Sequence, residues 1–372
     1  MPAPEPVALP PLPSESGYVD EEGLHPATLE EMGHMCRSGR IPALVWTPES
    51  GGGIPPEEVP ALLQAIRDRL VGGAKLPAMI AGAVVAWLIM QGINAGEVYF
   101  GAPWMVYAAF GLVWIGLRVR EWRQGSALTA EGYREMKRQA QEAAVVRRAP
   151  VVYLRAVAAT VAVGAAAQIL AMKLGDLSGG IDAASMDPAR IAAGEGWRLL
   201  TCGYLHAGVM HFIFNFMALL SLGRETEVLA HRAFVPLVFL VAVVAGSLAS
   251  YALPPDVTSV GASGGIMGLI GFLGVLAYRR RESVPAGFLN MIILNIAVIG
   301  GIGLVGFRFV DNAAHLGGLV AGAVLGVLLI PATSARPAWT PSPVVQTAGT
   351  GALGLLVLGC VWTVLRVLAP VL

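Results

Sequence analysis

Apolar stretches long enough to cross a bilayer recur from residue 77 to residue 369, and that recurrence limits the folds open to this chain more than any other feature. A membrane-crossing helix needs about 20 apolar residues. Candidate runs lie at 77–93, 100–117, 151–172, 204–222, 233–252, 263–278, 287–305, 312–331 and 348–369. Nine spans are therefore expected, and the first two, of which 77–93 is short, could form one tight hairpin. Composition agrees. Of 372 residues, 55% are hydrophobic and 13% charged, with a mean hydropathy of +0.66, whereas a soluble domain carries about 25% charge. Such a chain is no disordered protein or nucleic-acid binder, and it makes a poor cytosolic enzyme. The expected class is an all-α polytopic membrane protein.

Five segments are expected. Residues 1–75 read as a cytosolic appendage, opening on Pro2, Pro4, Pro6, Pro10, Pro11 and Pro13, a start that cannot form a helix. No basic stretch precedes an apolar one there, which argues against a cleaved signal peptide. From Thr28 to Leu70 the chain is mixed and amphipathic, divided by Gly51-Gly52-Gly53 and Pro55-Pro56, and short for burying much core. A transmembrane pair at 76–118, a basic cytosolic linker at 119–150, a helical core at 151–331 and a final helix within 332–372 follow.

Lys and Arg set the topology. Arg118, Arg120, Arg123, Arg134, Lys137, Arg138, Arg147 and Arg148 crowd the linker, Arg279–Arg281 follow residue 278, and Arg224 and Arg232 flank another connection. The connections 94–99 and 253–262 have no base. The N-terminus and the basic connections are thus expected in the cytoplasm, with the 174–203 loop and the C-terminus outside. Arg155 and Arg366, near helix ends, can snorkel. Totals of 25 Lys+Arg and 25 Asp+Glu leave no net charge to attract a polyanion. Cys36, Cys202 and Cys360 show no metal-site or redox spacing and read as packing thiols.

Ionisable residues at membrane depth are costly and mark function by default. Three of the six histidines, His206, His211 and His315, fall in or beside apolar runs. A serine in Gly261-Ala262-Ser263-Gly264-Gly265 fits the G-x-S-x-G pattern, but a loop with Pro254, Pro255 and Asp256 precedes it where a soluble hydrolase would have a strand. Ser263 is instead expected at a helix N-terminus, where the dipole favours developing negative charge. Ser221, Ser247 and Ser250 read as packing residues. Gly264, Gly268 and Gly271 make one small-residue face, and Gly318, Gly322 and Gly326 below His315 make another. Two such faces permit close backbone approach, which would set the His315 ring near the Ser263 hydroxyl. His211 and Asn215, at i and i+4, share a helical face and could both donate to a developing oxyanion. Simple interhelical packing or hydrogen bonding stands as the alternative for each of these residues.

Taken together and in this order, these residues resemble the rhomboid family of intramembrane serine proteases. The resemblance rests on Trp197-Arg198, on the run Gly203-Tyr204-Leu205-His206-Ala207-Gly208-Val209-Met210-His211-Phe212-Ile213-Phe214-Asn215, on Gly261-Ala262-Ser263-Gly264, and on Ala314-His315-Leu316-Gly317-Gly318. It covers about 151–331 and implies a six-helix rhomboid core, to which one C-terminal helix and two N-terminal transmembrane helices are added. It implies Ser263 as nucleophile and His315 as general base, a dyad without an acidic member. It further implies an oxyanion hole of His211, Asn215 and the Ser263 N–H, a structural or water-retaining His206, and Trp197-Arg198 as a loop anchor in the lipid interface. Met267 stands where well-studied bacterial members often stack an aromatic under the base. A thioether can still meet an imidazole face.

The reaction so implied is acyl transfer in a cavity opening outward, on a transmembrane-helix substrate that unwinds near its outer end. Transmembrane proteins and the bilayer are the expected partners, and no cofactor, metal or nucleic acid is expected. The rivals are a catalytically inactive rhomboid-like protein that binds membrane helices, and a transporter, for which no inverted repeat is visible. No HExxH occurs, and Lys173-Leu174-Gly175-Asp176 resembles the GxGD of aspartyl membrane proteases only in part. A bacterial inner membrane is the expected location, as no transit peptide is apparent.

Overall fold

The structure, a computed structural model, describes residues 16–20, 23–50, 52–96, 103–175, 178, 180–253, 258–331 and 340–371. The proline-rich start, Asp176 and the Pro254-Pro255-Asp256 turn lie outside the described residues. The chain divides into two compact units, 1–140 and 141–372.

The first unit is more than an amphipathic appendage. Strands β1 (Gly17–Asp20), β2 (Gly23–Pro26) and β3 (Leu44–Trp46) form an antiparallel sheet in the order β2-β1-β3. Helix α1 (Leu29–Ser38) starts at a capping box, in which the Thr28 hydroxyl accepts from Glu31 N–H and the Glu31 carboxylate accepts from Thr28 N–H. Met32, Cys36, Val45, Leu62, Ala65 and Ile66 are buried together. Residues 28–70 bury more core than expected, and Leu128 and Tyr133, far along the chain, add to the cluster.

The run expected at 77–93 belongs to a 35-residue helix, α2 (Pro60–Asn94), which continues through Pro77. It pairs with α3 (Pro103–Ser126) as an antiparallel hairpin: Gly92 meets Trp104, Val85 meets Gly111 and Leu70 meets Gly125. Helix α4 (Ala130–Arg148) carries the basic linker. Lys137 pairs with buried Glu57 at 3.2 Å and Arg134 with Glu58 at 3.1 Å.

The second unit is a bundle of α5 (Tyr153–Lys173), α6 (Val209–Leu229), α7 (Phe234–Ala252), α8 (Ser263–Arg279), α9 (Phe288–Val305), α10 (Asn312–Leu329) and α11 (Pro343–Leu368). Among the described residues, α2, α5, α7, α9, α10 and α11 are long and apolar enough to cross a membrane. This is a multi-pass, all-α membrane fold. Helix α3, with Arg118 and Arg120 inside its apolar stretch, falls outside that set, and α8, with 17 residues, is an apolar helix just short of it.

The expected span at 204–222 is corrected. Residues 198–204 form short helical turns, the chain bends by 96°, and α6 begins only at Val209. His206 therefore sits in a non-helical elbow. In lipid, apolar burial alone does not drive helices together, so close packing of small residues must. Helices α7, α8 and α10 meet this way. Gly318 abuts the Gly264 carbonyl, Gly322 the Gly268 carbonyl and Gly271 the Leu319 carbonyl, and a Cβ on Gly246 would stand 2.6 Å from Ala314 O.

Candidate active site

Ser263 is the first residue of α8. The first N–H groups of a helix have no partner within it, so the backbone amides at Ser263 and Gly264 make no bond inside α8. Two sets of bonds fix where α8 begins. Met186 and Ser259 exchange backbone hydrogen bonds of 3.0 and 2.9 Å, and Gly261 N–H donates to Cys202 O at 2.9 Å. Gly261 has φ +134°, a conformation open to glycine and strained for other residues.

The room at Gly261 defines the site. A Cβ there would lie 3.1 Å from His211 Nε2, 2.9 Å from His211 Cε1 and 3.8 Å from Ser263 Oγ. The imidazole and the hydroxyl thus converge on one backbone position. Ala207 N–H donates to His211 Nδ1 at 3.3 Å, so the neutral ring carries its proton on Nε2, the nitrogen that faces Gly261. Asn215, one turn on in α6, donates one amide proton to His211 O at 2.8 Å and keeps the second. His211 and Asn215 share the face expected of them.

His315 lies in the first turns of α10 and is half-buried. The Gly264–Gly318 contact brings the first turns of α8 and α10 together beneath Ser263 and His315. Among the described residues, no hydrogen bond joins the Ser263 hydroxyl to the His315 ring. Catalytic hydrogen bonds often tighten only in the substrate complex. Asp311 holds this end of α10: its Oδ1 accepts from Ala314 N–H at 2.9 Å and its Oδ2 from the Ser250 hydroxyl at 2.5 Å.

The remaining expected residues surround this centre. His206 is buried, its ring edge-on to His211 (centroids 5.4 Å apart) and to Phe212 (5.2 Å). Met267 is buried in the core cluster below Ser263. Arg198 is fully buried and serves the 181–201 loop, donating to Glu195 (2.5 Å), Ser185 O (2.9 Å) and Asp182 O (3.1 Å). Its guanidinium also lies over Trp197, 4.8 Å from the ring centre, while Trp362 and Arg366 of α11 approach the same indole. Trp197-Arg198 thus secures the loop to the bundle.

Sequence reading missed Gln168 on α5, which bonds both backbone groups of His206. A lone amide inside the 151–172 apolar run was the available signal. It also read Ser250 and Ser247 as packing residues, whereas Ser250 donates to Asp311 and Ser247 lies 3.2 Å from the Cys202 thiol. No group of His, Cys, Asp and Glu among the described residues could hold a metal ion.

Comparison with known proteins agrees with this region of the chain. Residues 193–332 match the family model described as Rhomboid domain. The chain is 39% identical over 168 residues to Rhomboid protease GluP of Bacillus subtilis, covering 42% of this chain and 32% of that protein. It is 33% identical over 146 residues to RHOMBOID-like protein 4 of Arabidopsis thaliana, covering 39% and 37%. With Rhomboid-related protein 2 of Mus musculus it shares 35% over 144 residues, covering 36% and 47%. The chain spans between a third and a half of the length of these relatives.

Proposed function

Because residues 193–332 form a domain of the rhomboid family, we propose that this chain is an intramembrane serine endopeptidase that cuts transmembrane-helix substrates near the outer membrane face with a Ser263–His315 dyad. The observation that carries the reading is the convergence of His211 Nε2 and Ser263 Oγ on Gly261. A scissile carbonyl carbon placed at Oγ would have its oxygen within reach of a proton-bearing imidazole nitrogen and of free helix N-terminal amides.

In the proposed reaction His315 takes the Ser263 proton as Oγ bonds to the carbonyl carbon. The oxyanion of the tetrahedral intermediate accepts from Ser263 N–H, His211 Nε2–H and the spare Asn215 amide proton. Collapse breaks the C–N bond, and His315 returns the proton to the leaving amine. Water, deprotonated by His315, then hydrolyses the acyl-enzyme. With no acidic group among the described residues bonded to His315, slow turnover is expected. A substrate helix must unwind to present its peptide bond, so Gly or Pro near the cut would lower that cost. The cytoplasmic N-terminus, supported by where the arginines fall, and the bacterial inner membrane remain part of this proposal.

The test compares purified wild type with Ser263→Ala, using a fluorophosphonate probe and a single-span reporter carrying a small residue near its outer end. Labelling and cleavage that vanish together in the variant support the protease. A wild type that binds the reporter but neither labels nor cuts sinks it, in favour of a helix-binding, catalytically inactive rhomboid-like protein.

A further inference from the structure

We propose that Gln168 is a positioning residue for His211: by clamping the backbone of His206 it fixes the next peptide, whose N–H sets which His211 nitrogen bears the proton. This rests on the protease reading, in which His211 serves the oxyanion. Gln168 lies on α5, is 7% exposed, and places an amide within the apolar stretch that runs from Val161 to Met172. A buried amide is costly unless bonded. Here both ends are bonded to one residue: Oε1 accepts from His206 N–H at 3.0 Å and Nε2 donates to His206 O at 2.8 Å. One turn earlier on the same face, Gly164 leaves no room for a side chain, since a Cβ would lie 2.6 Å from Tyr204 Cβ. Gly164 and Gln168 thus form a seat for the elbow at 204–206.

Backbone polar groups outside a helix at membrane depth need protein partners, and that need alone would explain one bond to this elbow. The clamp does more, through what lies next to it. The peptide after His206 ends in Ala207 N–H, the single donor to His211 Nδ1 among the described residues, and at 3.3 Å that bond is long. A small shift of the elbow breaks it. The imidazole would then be free to place its proton on either nitrogen, and only the Nε2–H form presents a donor at Gly261. The His206 ring, edge-on to His211, moves with the same backbone.

The experiment is a double-mutant cycle on the full-length protein in lipid vesicles. Gln168→Met keeps the length and removes both bonds. Losing a whole oxyanion donor costs about 10²–10³ in rate, so loosening one is expected to lower kcat about tenfold. KM should stay within about twofold, since uniform substrate binding is untouched. The phosphonate labelling rate should fall by the same factor as kcat. In a His211→Ala background, Gln168→Met should change neither rate, because its effect runs through His211. An equal fold-loss in both backgrounds, or no loss in either, overturns the proposal. Should Gln168→Met fail to fold, Gln168→Asn keeps the amide but, one methylene shorter, cannot hold both bonds: a partial loss of kcat confined to the His211 background supports the clamp, and full activity overturns it. A wild type without activity would sink the protease reading instead. The clamp would then be judged by the histidine ¹⁵N spectrum, in which Gln168→Met should turn the single Nε2–H tautomer of His211 into a mixture; an unchanged spectrum overturns it.

Discussion

Gly318 of α10 rests directly on the carbonyl oxygen of Gly264 in α8, with no space between them for a methyl group. Gly264 follows Ser263, and Gly318 lies one turn after His315. The spacing between the proposed nucleophile and base is therefore set by two backbones in contact, without intervening side chains. Backbones in contact are stiff, which suits a pair of groups that must meet within a fraction of an ångström.

Gly318→Ala should push α8 and α10 apart. Overpacking a close contact costs about 1–3 kcal/mol, so the melting temperature of the purified protein should fall and phosphonate labelling of Ser263 should fall with it. Gly322→Ala, one turn deeper against Gly268 O, should destabilise similarly while slowing labelling less. Equal loss of labelling from both would mean that the contact nearest the dyad has no special role.

Gly261→Ala should cost stability and activity together, the first because alanine is strained at this backbone position. The added methyl would enter the space between His211 Nε2 and Ser263 Oγ, on a backbone with φ +134°. Misplacing reacting groups by about 1 Å costs about 10²-fold in rate, so cleavage of the reporter should drop by roughly that factor. A variant that retains full activity would place the substrate carbonyl elsewhere.

The 181–201 loop should loosen in acid. A hydrogen bond from Arg198 holds the Glu195 carboxyl below the usual carboxylate range. A lowered folded-state value means that this support is complete above the ordinary Glu value of about 4.3 and is lost as pH falls through the lower folded one. Hydrogen exchange across 181–201 should accordingly rise in acid for wild type. Glu195→Gln should flatten that response. Arg198→Lys should raise exchange at neutral pH as well, because an ammonium cannot reach Glu195, Ser185 O and Asp182 O together.

The thiols should be inert. Cys36, Cys202 and Cys360 are free and buried, and burial pushes the Cys36 thiol up. Native protein should take up no maleimide until it unfolds, and reductant should leave cleavage unchanged. Labelling of folded protein at any of the three would show a motion that opens the core.

Much of this protein is legible residue by residue. The transfer of a side chain into lipid is a property of that side chain, so summed hydropathy located α5, α7, α9, α10 and α11 within a few residues of their ends. Ser263, His211, Asn215 and His315 stood out because polar groups are rare in such runs, and helical spacing put His211 and Asn215 on one face. The strands at 17–20, 23–26 and 44–46 did not stand out, since three or four residues are too few to show a period. The bend before Val209 was hidden inside a run apolar enough to read as one span. Only the fold decides it: the chain can leave the helix at 205–208 because Gln168, 38 residues earlier, bonds the His206 backbone, and because the Tyr204 hydroxyl reaches Leu356 O, 152 residues later. Hydropathy is additive along the chain, whereas a hydrogen bond to an elbow of backbone exists only once distant helices have packed. That is why the sequence determined which segments enter the membrane, and the tertiary structure alone determined where one of them breaks to aim a histidine.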